Sequence, residues 1–317
     1  MAAGPSLAIV GPTASGKTAL AIELARRGIR AGRQVELISV DSMAVYRGMA
    51  IGTAVPTAAE LGDISLHCTG FVEPSLECSM VEFVAAARSA ADDAAIRGAE
   101  VVFVGGTGLY VRALVDRLEA PGQYPDVAAA LHAEPDTAVL YQRLLELDPV
   151  AAGRMESTNR RRIVRALEVT IGSGRPFSSF GPGLTEYPAT NVLQIGLSVD
   201  RSDLSRRITA RLQSQLERGF LDEVAALRSR PDRWSRTAAQ ALGYAELAAY
   251  LDGECTLDDA IERTVQRTRQ LAVRQDRWFR RDPRIVWMEA DSGAQRLADE
   301  VESLWRSSGG PSASTPH

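Results

Sequence analysis

Apolar residues in this chain come in short unbroken runs, separated by stretches where they recur every three or four positions. Leu7, Ala8, Ile9 and Val10 form one such run, and Val101, Val102, Phe103 and Val104 form another. A run with no polar alternate position suits a strand covered on both faces, the usual state of a parallel sheet. Residues 35–40 and 192–197 add two strands, and 284–288 is a candidate for a last one. Helical stretches lie between them. Residues 19–27 follow the first strand, and a helix opens at about 109 after the run at 101–104. Ser79 and Glu82 have the spacing of a capping box, which opens a helix running to about 97. This alternation predicts an α/β fold, a doubly wound parallel sheet flanked by helices. In such sheets ligands bind at the carboxyl ends of the strands.

From about residue 116 the pattern changes. Residues 121–190 mix proline, glycine and arginine with helical stretches at 137–147 and 159–171, and no strand is evident. The expectation is a small helical insertion, 119–189, within a core formed by 1–118 and 190–306. Further helices are expected at 202–218, 220–229, 237–251, 256–281 and 292–305. Residues 307–317 have the composition of a disordered tail.

Composition narrows the function class. At 45% hydrophobic, the chain can build a substantial core. It has no apolar run of about 18 residues, so no membrane span is expected. The N-terminus leads straight into the first strand, which leaves no signal peptide and predicts a cytoplasmic protein. A net charge of −4 argues against a generally basic nucleic-acid binder, although local patches can still bind. Cys68, Cys78 and Cys255 with His67, His132 and His317 show no metal-ligand spacing. Cys68 and Cys78 could pair, but free thiols are the expectation in the cytosol.

Of 36 basic residues, Lys17 is the one lysine. It stands in Gly11, Pro12, Thr13, Ala14, Ser15, Gly16, Lys17 and Thr18, which fit the G-x-x-x-x-G-K-[ST] phosphate loop between a strand and a helix. Inward-pointing amides and a helix N-terminus favour an anion there. Lysine adds a compact, mobile ammonium where arginine would bring a planar fork. The loop recognises a diphosphate, and ATP, GTP or another diphosphate all remain open. Thr18 would place its hydroxyl on Mg²⁺ carried by that ligand. Two further strand ends should converge on the loop: Asp41 with Ser42, and Gly105, Gly106 and Thr107. Asp41 is either a carboxylate delivered to the cleft or a turn aspartate. Arg263, Arg267, Arg274, Arg277 and Arg281 share one helix face, and Arg160, Arg161, Arg162 and Arg165 cluster in the insertion. Either a solvated face or a phosphate backbone would account for them.

Taken in order, these segments resemble the tRNA dimethylallyltransferase (tRNA isopentenyltransferase) family of bacterial type. The phosphate loop, Ile38 to Ser42, Tyr46 to Met49, Ile51 to Ala54, Val104 to Tyr110 and Arg165 to Glu168 carry the likeness. So do Gly219 to Val224, Leu242 to Tyr244, Thr268 to Ala272, and Arg274 with Gln275. The resemblance implies a P-loop-like core with a tRNA-gripping insertion. It implies transfer of a dimethylallyl group from dimethylallyl diphosphate to N6 of the adenosine immediately 3′ of the anticodon (position 37), in tRNAs reading codons that begin with U. The products would be N6-isopentenyladenosine and diphosphate.

On that resemblance Asp41 is the base, Thr107 lies near the reacting centre, and Arg211, with Arg207 as competitor, binds the diphosphate. Asp41, Ser42, Met43 and Ala44 line the adenine pocket with Thr107. Arg160, Arg161, Arg162, Arg267 and Arg274 are the expected tRNA contacts, Mg²⁺ is the expected cofactor, and a monomer is expected. A nucleotide or small-molecule kinase shares the loop, the sheet and the arginines, and is the competing reading.

Overall fold

A computed structural model of the chain describes residues 6–119, 121–181, 183–184, 186–291 and 294–308. Strand β1 (Ser6–Val10) ends in the glycine-rich turn, and helix α1 (Lys17–Arg30) leaves it. Leu20, Ala21, Leu24, Ala25 and Gly28 make the stripe of α1 that is buried on the sheet. Strand β2 (Val35–Val40) is followed by a loop, a short α2 (Ala58–Leu61) and a two-residue β3 (Leu66–His67). The Ser79–Glu82 capping box opens α3 (Met80–Ile96), with each side chain accepting the other residue's backbone N–H. Strand β4 (Glu100–Gly105) and α4 (Gly108–Val115) complete this half.

Residues 116–188 form a compact unit of their own. It comprises α5 (Pro125–Ala133), α6 (Thr137–Leu147), α7 (Pro149–Gly153) and α8 (Arg160–Ser173). Leu131, Leu140, Leu144, Ile163, Val164 and Leu167 are its centre. Buried Asp148 ties it together, accepting from Ala151 N (2.9 Å), Ser178 Oγ (2.7 Å) and Ser178 N (2.7 Å).

The chain then re-enters the first unit, residues 1–115 with 189–317, as β5 (Val192–Ser198). Helices α9 (Arg201–Glu217), α10 (Phe220–Arg228), α11 (Tyr244–Leu251) and α12 (Leu257–Phe279) follow. Strand β6 (Val286–Glu289) and α13 (Ala294–Ser307) end the described chain. All pairings are parallel, in the order β3-β2-β4-β1-β5-β6. Leu297, Ala298, Val301 and Trp305 of α13 join the core built by α1 and the sheet. No helix among the described residues is long and apolar enough to cross a membrane.

Two expectations need correction. The helix expected over 237–251 is broken: a 3₁₀ turn at Ala238–Gln240 is followed by Gly243 at φ +86°, and α11 starts only at Tyr244. A Cβ at Gly243 would lie 2.7 Å from the Phe220 ring, so close packing there demands glycine. The tail does not begin at Ser307, which still belongs to α13, and Ser308 N bonds to Leu304 O at 3.0 Å. The rest of the expected tail, 309–317, lies outside the described residues. Strand β3 and helices α2, α5 and α7 add to the elements expected from the sequence.

Because the strands are parallel, the loops after β1, β2 and β4 leave the same edge of the sheet. At that edge β2 and β4 approach closely: Val40 is the register partner of Gly105, and a Cβ on Gly105 would lie 2.0 Å from Val40 O. Gly105→Ala therefore has to spread the two strands where Asp41 and Thr107 begin. The expected cost is about 1–3 kcal/mol in denaturant unfolding, the range for overpacking, and activity should fall further than stability does.

Candidate active site

The glycine-rich turn takes its shape from its glycines. Gly11 has φ +137°, and a Cβ there would lie 2.7 Å from Leu197 O of β5. Gly16, at φ +92°, is the N-cap of α1. Ala14 also adopts positive φ, +60°, so the turn holds some backbone strain. Ser15 is buried, and its Oγ has no hydrogen-bond partner among the described residues. Such an orphaned hydroxyl suits an anionic oxygen. Lys17 is buried too, and its Nζ donates to Pro12 O at 2.6 Å. Burial, reinforced by the Arg211 charge and opposed by Asp41, lowers its pKa to about 7.

Arg211 projects from α9 to the same turn. Its Nη1 donates to Thr13 Oγ1 (3.2 Å) and its Nη2 to Thr53 O (3.4 Å). Burial lowers its pKa and the Asp41 charge opposes that shift. Arg207, one turn earlier on α9, is instead ion-paired with Asp291. Of the two candidates, Arg211 is the one at the loop.

Asp41 follows β2. Its Oδ1 accepts the N–H groups of Met43 (2.8 Å) and Ala44 (3.3 Å), so it is a turn aspartate. It is also the carboxylate that Lys17 and Arg211 both feel, so the two alternatives left open by the sequence coexist. Its Oδ2 accepts no hydrogen bond among the described residues, and the turn fixes the group's orientation. Thr107 follows β4. Its Oγ1 accepts Ser42 N at 3.1 Å, and its own N–H reaches Val40 O at 3.3 Å. Thr107 is thereby tied to the Asp41-Ser42 turn. Ser42 and Met43 are half-buried beside buried Ala44.

Thr18 is half-buried at the start of α1. Among the described residues no three His, Cys, Asp or Glu side chains gather in a way that could hold a metal. The donor set therefore fits an ion carried largely by phosphate oxygens and water, as Mg²⁺ often is, and does not fit a protein cage.

One contact was not legible in the sequence. Gln275 of α12 accepts Thr13 N on Oε1 (2.7 Å) and donates Nε2 to Gly106 O (3.1 Å). It bridges the phosphate loop to the end of β4. The signal was Gly106, where a Cβ would lie 2.4 Å from Gln275 Nε2.

The arginine stripe on α12 divides. Arg267, expected as a tRNA contact, is engaged by the buried carboxylate of Glu246, from α11. The neutralising acid comes from a neighbouring helix rather than from α12 itself. Arg274, Arg277 and Arg281 are exposed. In the second unit, Arg160 donates to the carbonyls of His132 (3.4 Å) and Pro135 (3.3 Å) and also to Glu134 O, at the end of α5. Arg165 is held by Glu168 (2.8 Å) and Pro121 O (2.9 Å). Arg161 and Arg162 are exposed on the first turn of α8. Cys68, Cys78 and Cys255 are free thiols.

A family model described as IPP transferase matches residues 44–282, and one described as isopentenyl transferase matches residues 6–66. The chain belongs to the IPP transferase family. A tRNA dimethylallyltransferase of Nocardioides sp. is 43% identical over 95% of this chain and 95% of its own length. The solved full-length tRNA isopentenylpyrophosphate transferase of Bacillus halodurans is 33% identical, with a TM-score of 0.68, covering 96% of this chain and 98% of that one. A eukaryotic dimethylallyltransferase solved while acting on tRNA is 25% identical, with a TM-score of 0.79, covering 98% of this chain and 82% of that one.

The Lys17 environment makes anion binding pH-dependent. A polyanion in the loop favours the ammonium form and raises its pKa from about 7. Above that pH the free protein has lost the proton that the complex retains, so binding takes one up and weakens as pH rises. Calorimetric titration with pyrophosphate, in buffers of different ionisation enthalpy, should show proton uptake that disappears in Lys17→Met. Equal uptake in both proteins would place the titration elsewhere.

Proposed function

We propose that the chain transfers the dimethylallyl group of dimethylallyl diphosphate to N6 of the adenosine immediately 3′ of a tRNA anticodon. The observation that carries this reading is one carboxylate, Asp41, fixed by its own turn within electrostatic reach of two cations, buried Lys17 and half-buried Arg211. A proton acceptor and a diphosphate receptor thus share one strand edge. The relatives named as tRNA dimethylallyltransferases match almost the whole chain, and the kinase reading is not favoured.

An exocyclic adenine amine is a weak nucleophile because its lone pair is delocalised into the ring. As N6 attacks C1 of the allyl group, the C1–O bond to diphosphate breaks and its electron pair leaves with the diphosphate. The N6 proton passes to the Asp41 carboxylate. Loop amides, Lys17 and Arg211 stabilise the departing charge, and the buried Ser15 hydroxyl is a further donor. Thr107 holds Ser42 through its amide, and so positions the Asp41 turn. Mg²⁺, held by Thr18 and the ligand's own oxygens, would neutralise part of the diphosphate charge. The adenine has to leave its stack to reach Asp41, as in base flipping. Arg274 with Arg277, and Arg161 with Arg162, are the exposed cations we assign to tRNA phosphates. The reading carries with it a monomer acting in the cytoplasm.

Labelled dimethylallyl diphosphate should deliver label to an anticodon stem-loop bearing adenosine at that position, without ATP. ATP-dependent phosphorylation of an acceptor with no label in RNA would refute the transferase. Asp41→Asn should lower kcat by about 10²–10⁴-fold, the usual contribution of a general base, while pyrophosphate binds as before. Equal loss of both would remove Asp41 from the base role.

Removing both Arg274 and Arg277 should weaken tRNA binding and flatten its log-log salt slope by about one per arginine. Arg267→Ala should leave the slope unchanged and lower stability, because Glu246 is then buried unpaired. An unchanged slope in the double variant would make those arginines a solvated face.

A further inference from the structure

Three segments with no part in the reaction so far meet behind Arg211: the loop at residues 50–53, the start of α10 and the start of α11. The Glu223 carboxylate of α10 accepts the backbone N–H groups of Ala50 (3.0 Å) and Ile51 (2.8 Å) on Oε2, and of Gly52 (3.0 Å) on Oε1. The Tyr244 hydroxyl donates to the same Oε1 at 2.5 Å. From α9, Gln215 donates Nε2 to the carbonyls of Ile51 (2.7 Å) and Gly52 (2.9 Å).

The loop lies on an aromatic floor. Phe220 and Tyr244 meet edge to face with centroids 4.9 Å apart, and a Cβ at Gly52 would lie 2.3 Å from the Phe220 ring. Both rings are fully buried. Burial, and then the Glu223 charge, raise the Tyr244 phenol, which keeps it a hydrogen-bond donor. One carboxylate with four donors thus fixes three consecutive amides, and the next residue is Thr53.

Thr53 O is one of the two acceptors that hold Arg211, and Thr13 Oγ1 of the phosphate loop is the other. Neither carries a charge. Asp41 attracts Arg211 without forming an ion pair with it, so the direction of the guanidinium is set by these neutral acceptors and depends on their being rigidly placed. We propose that Glu223 is a positioning residue for the diphosphate: it latches loop 50–53 so that Thr53 O directs Arg211 to the phosphate loop. The proposal rests on reading that loop as a diphosphate site. Glu223 touches no substrate and acts through Arg211. Glutamine cannot replace it, because its amide offers one acceptor and one donor group to a cup lined by four donors.

The test uses the full chain and inorganic pyrophosphate. Binding is measured calorimetrically for wild type, Glu223→Gln, Arg211→Ala and the double variant, with thermal unfolding of each. Glu223→Gln should weaken pyrophosphate binding by about tenfold, a coupling within the range for residues in one network. Arg211→Ala should weaken it at least as much, and the double variant should be no weaker than Arg211→Ala alone. Affinity for the anticodon stem-loop should stay within about twofold in Glu223→Gln.

Wild-type affinity in Glu223→Gln overturns the proposal. So does a tenfold loss that persists in the Arg211→Ala background, which would make Glu223 a support of the fold at large. If Glu223→Gln is unfolded at the assay temperature, Tyr244→Phe removes a single donor from the carboxylate. A smaller loss, again absent beside Arg211→Ala, supports the latch, and no loss overturns it. Wild-type protein that binds no pyrophosphate would overturn the diphosphate site itself, and the latch with it.

Discussion

Lys17 and Arg211 are two cations, one buried and one half-buried, within electrostatic reach of each other, with Asp41 as the carboxylate both of them feel. Desolvating like charges together is unfavourable, and the strain appears on Lys17, whose ammonium is pushed toward losing its proton. The pocket therefore favours a ligand that brings negative charge. Asp41 does not cancel the imbalance by pairing. Its Oδ1 is occupied by the amides of Met43 and Ala44, and no ion pair forms between it and either cation among the described residues. It is near enough to be felt and too constrained to be consumed. That leaves it free for a proton while the cations remain free for an anion.

The sheet keeps these groups close by bringing backbones together where side chains would intrude. Gly11 leaves room for Leu197 O, Gly105 for Val40 O, and Gly106 for the Gln275 amide. Each is a position where a single Cβ would separate two elements that carry site residues. The loops after β1, β2 and β4 can then be joined by short polar links: Thr107 to Ser42, Gln275 to Thr13 and Gly106, and Arg211 to Thr13. These bonds couple three loops and two helices without an ion pair. The charges therefore stay available for a ligand.

Much of this was legible from residue types. Runs such as Val101 to Val104 announce strands buried on both faces, and the phosphate loop is fixed by spacing. Two short elements were not legible: Leu66–His67 is too brief to show alternation, and Pro125–Ala133 runs through Val127 and three alanines without a clear apolar stripe. The continuous helix expected over 237–251 failed because apolar periodicity does not register the conformation forced at Gly243 by Phe220. In the site, Asp41 and Thr107 could be named because they end strands. Gln275 could be quoted as part of the likeness but not given its partner, a backbone amide 262 residues away. The ion pair of Arg267 was hidden for a similar reason, since Glu246 arrives from another helix.

Helix α12 shows how one rigid element serves two surfaces. Arg274 and Gln275 are successive residues, about 100° apart around the axis. Gln275 turns inward and holds the phosphate loop, while Arg274 is exposed with Arg277 and Arg281 further along. The exposed charges and the loop are thus fixed relative to each other by a helix of 23 residues, with no flexible linker between them. Its N-terminus is capped by Thr256 and Asp259, and Phe279 buries the other end. An arginine face on a surface helix would ordinarily need nothing from the interior. Here the same backbone that presents those arginines also positions Thr13. Any RNA that docks on the exposed face is therefore registered against the site where the diphosphate is proposed to leave.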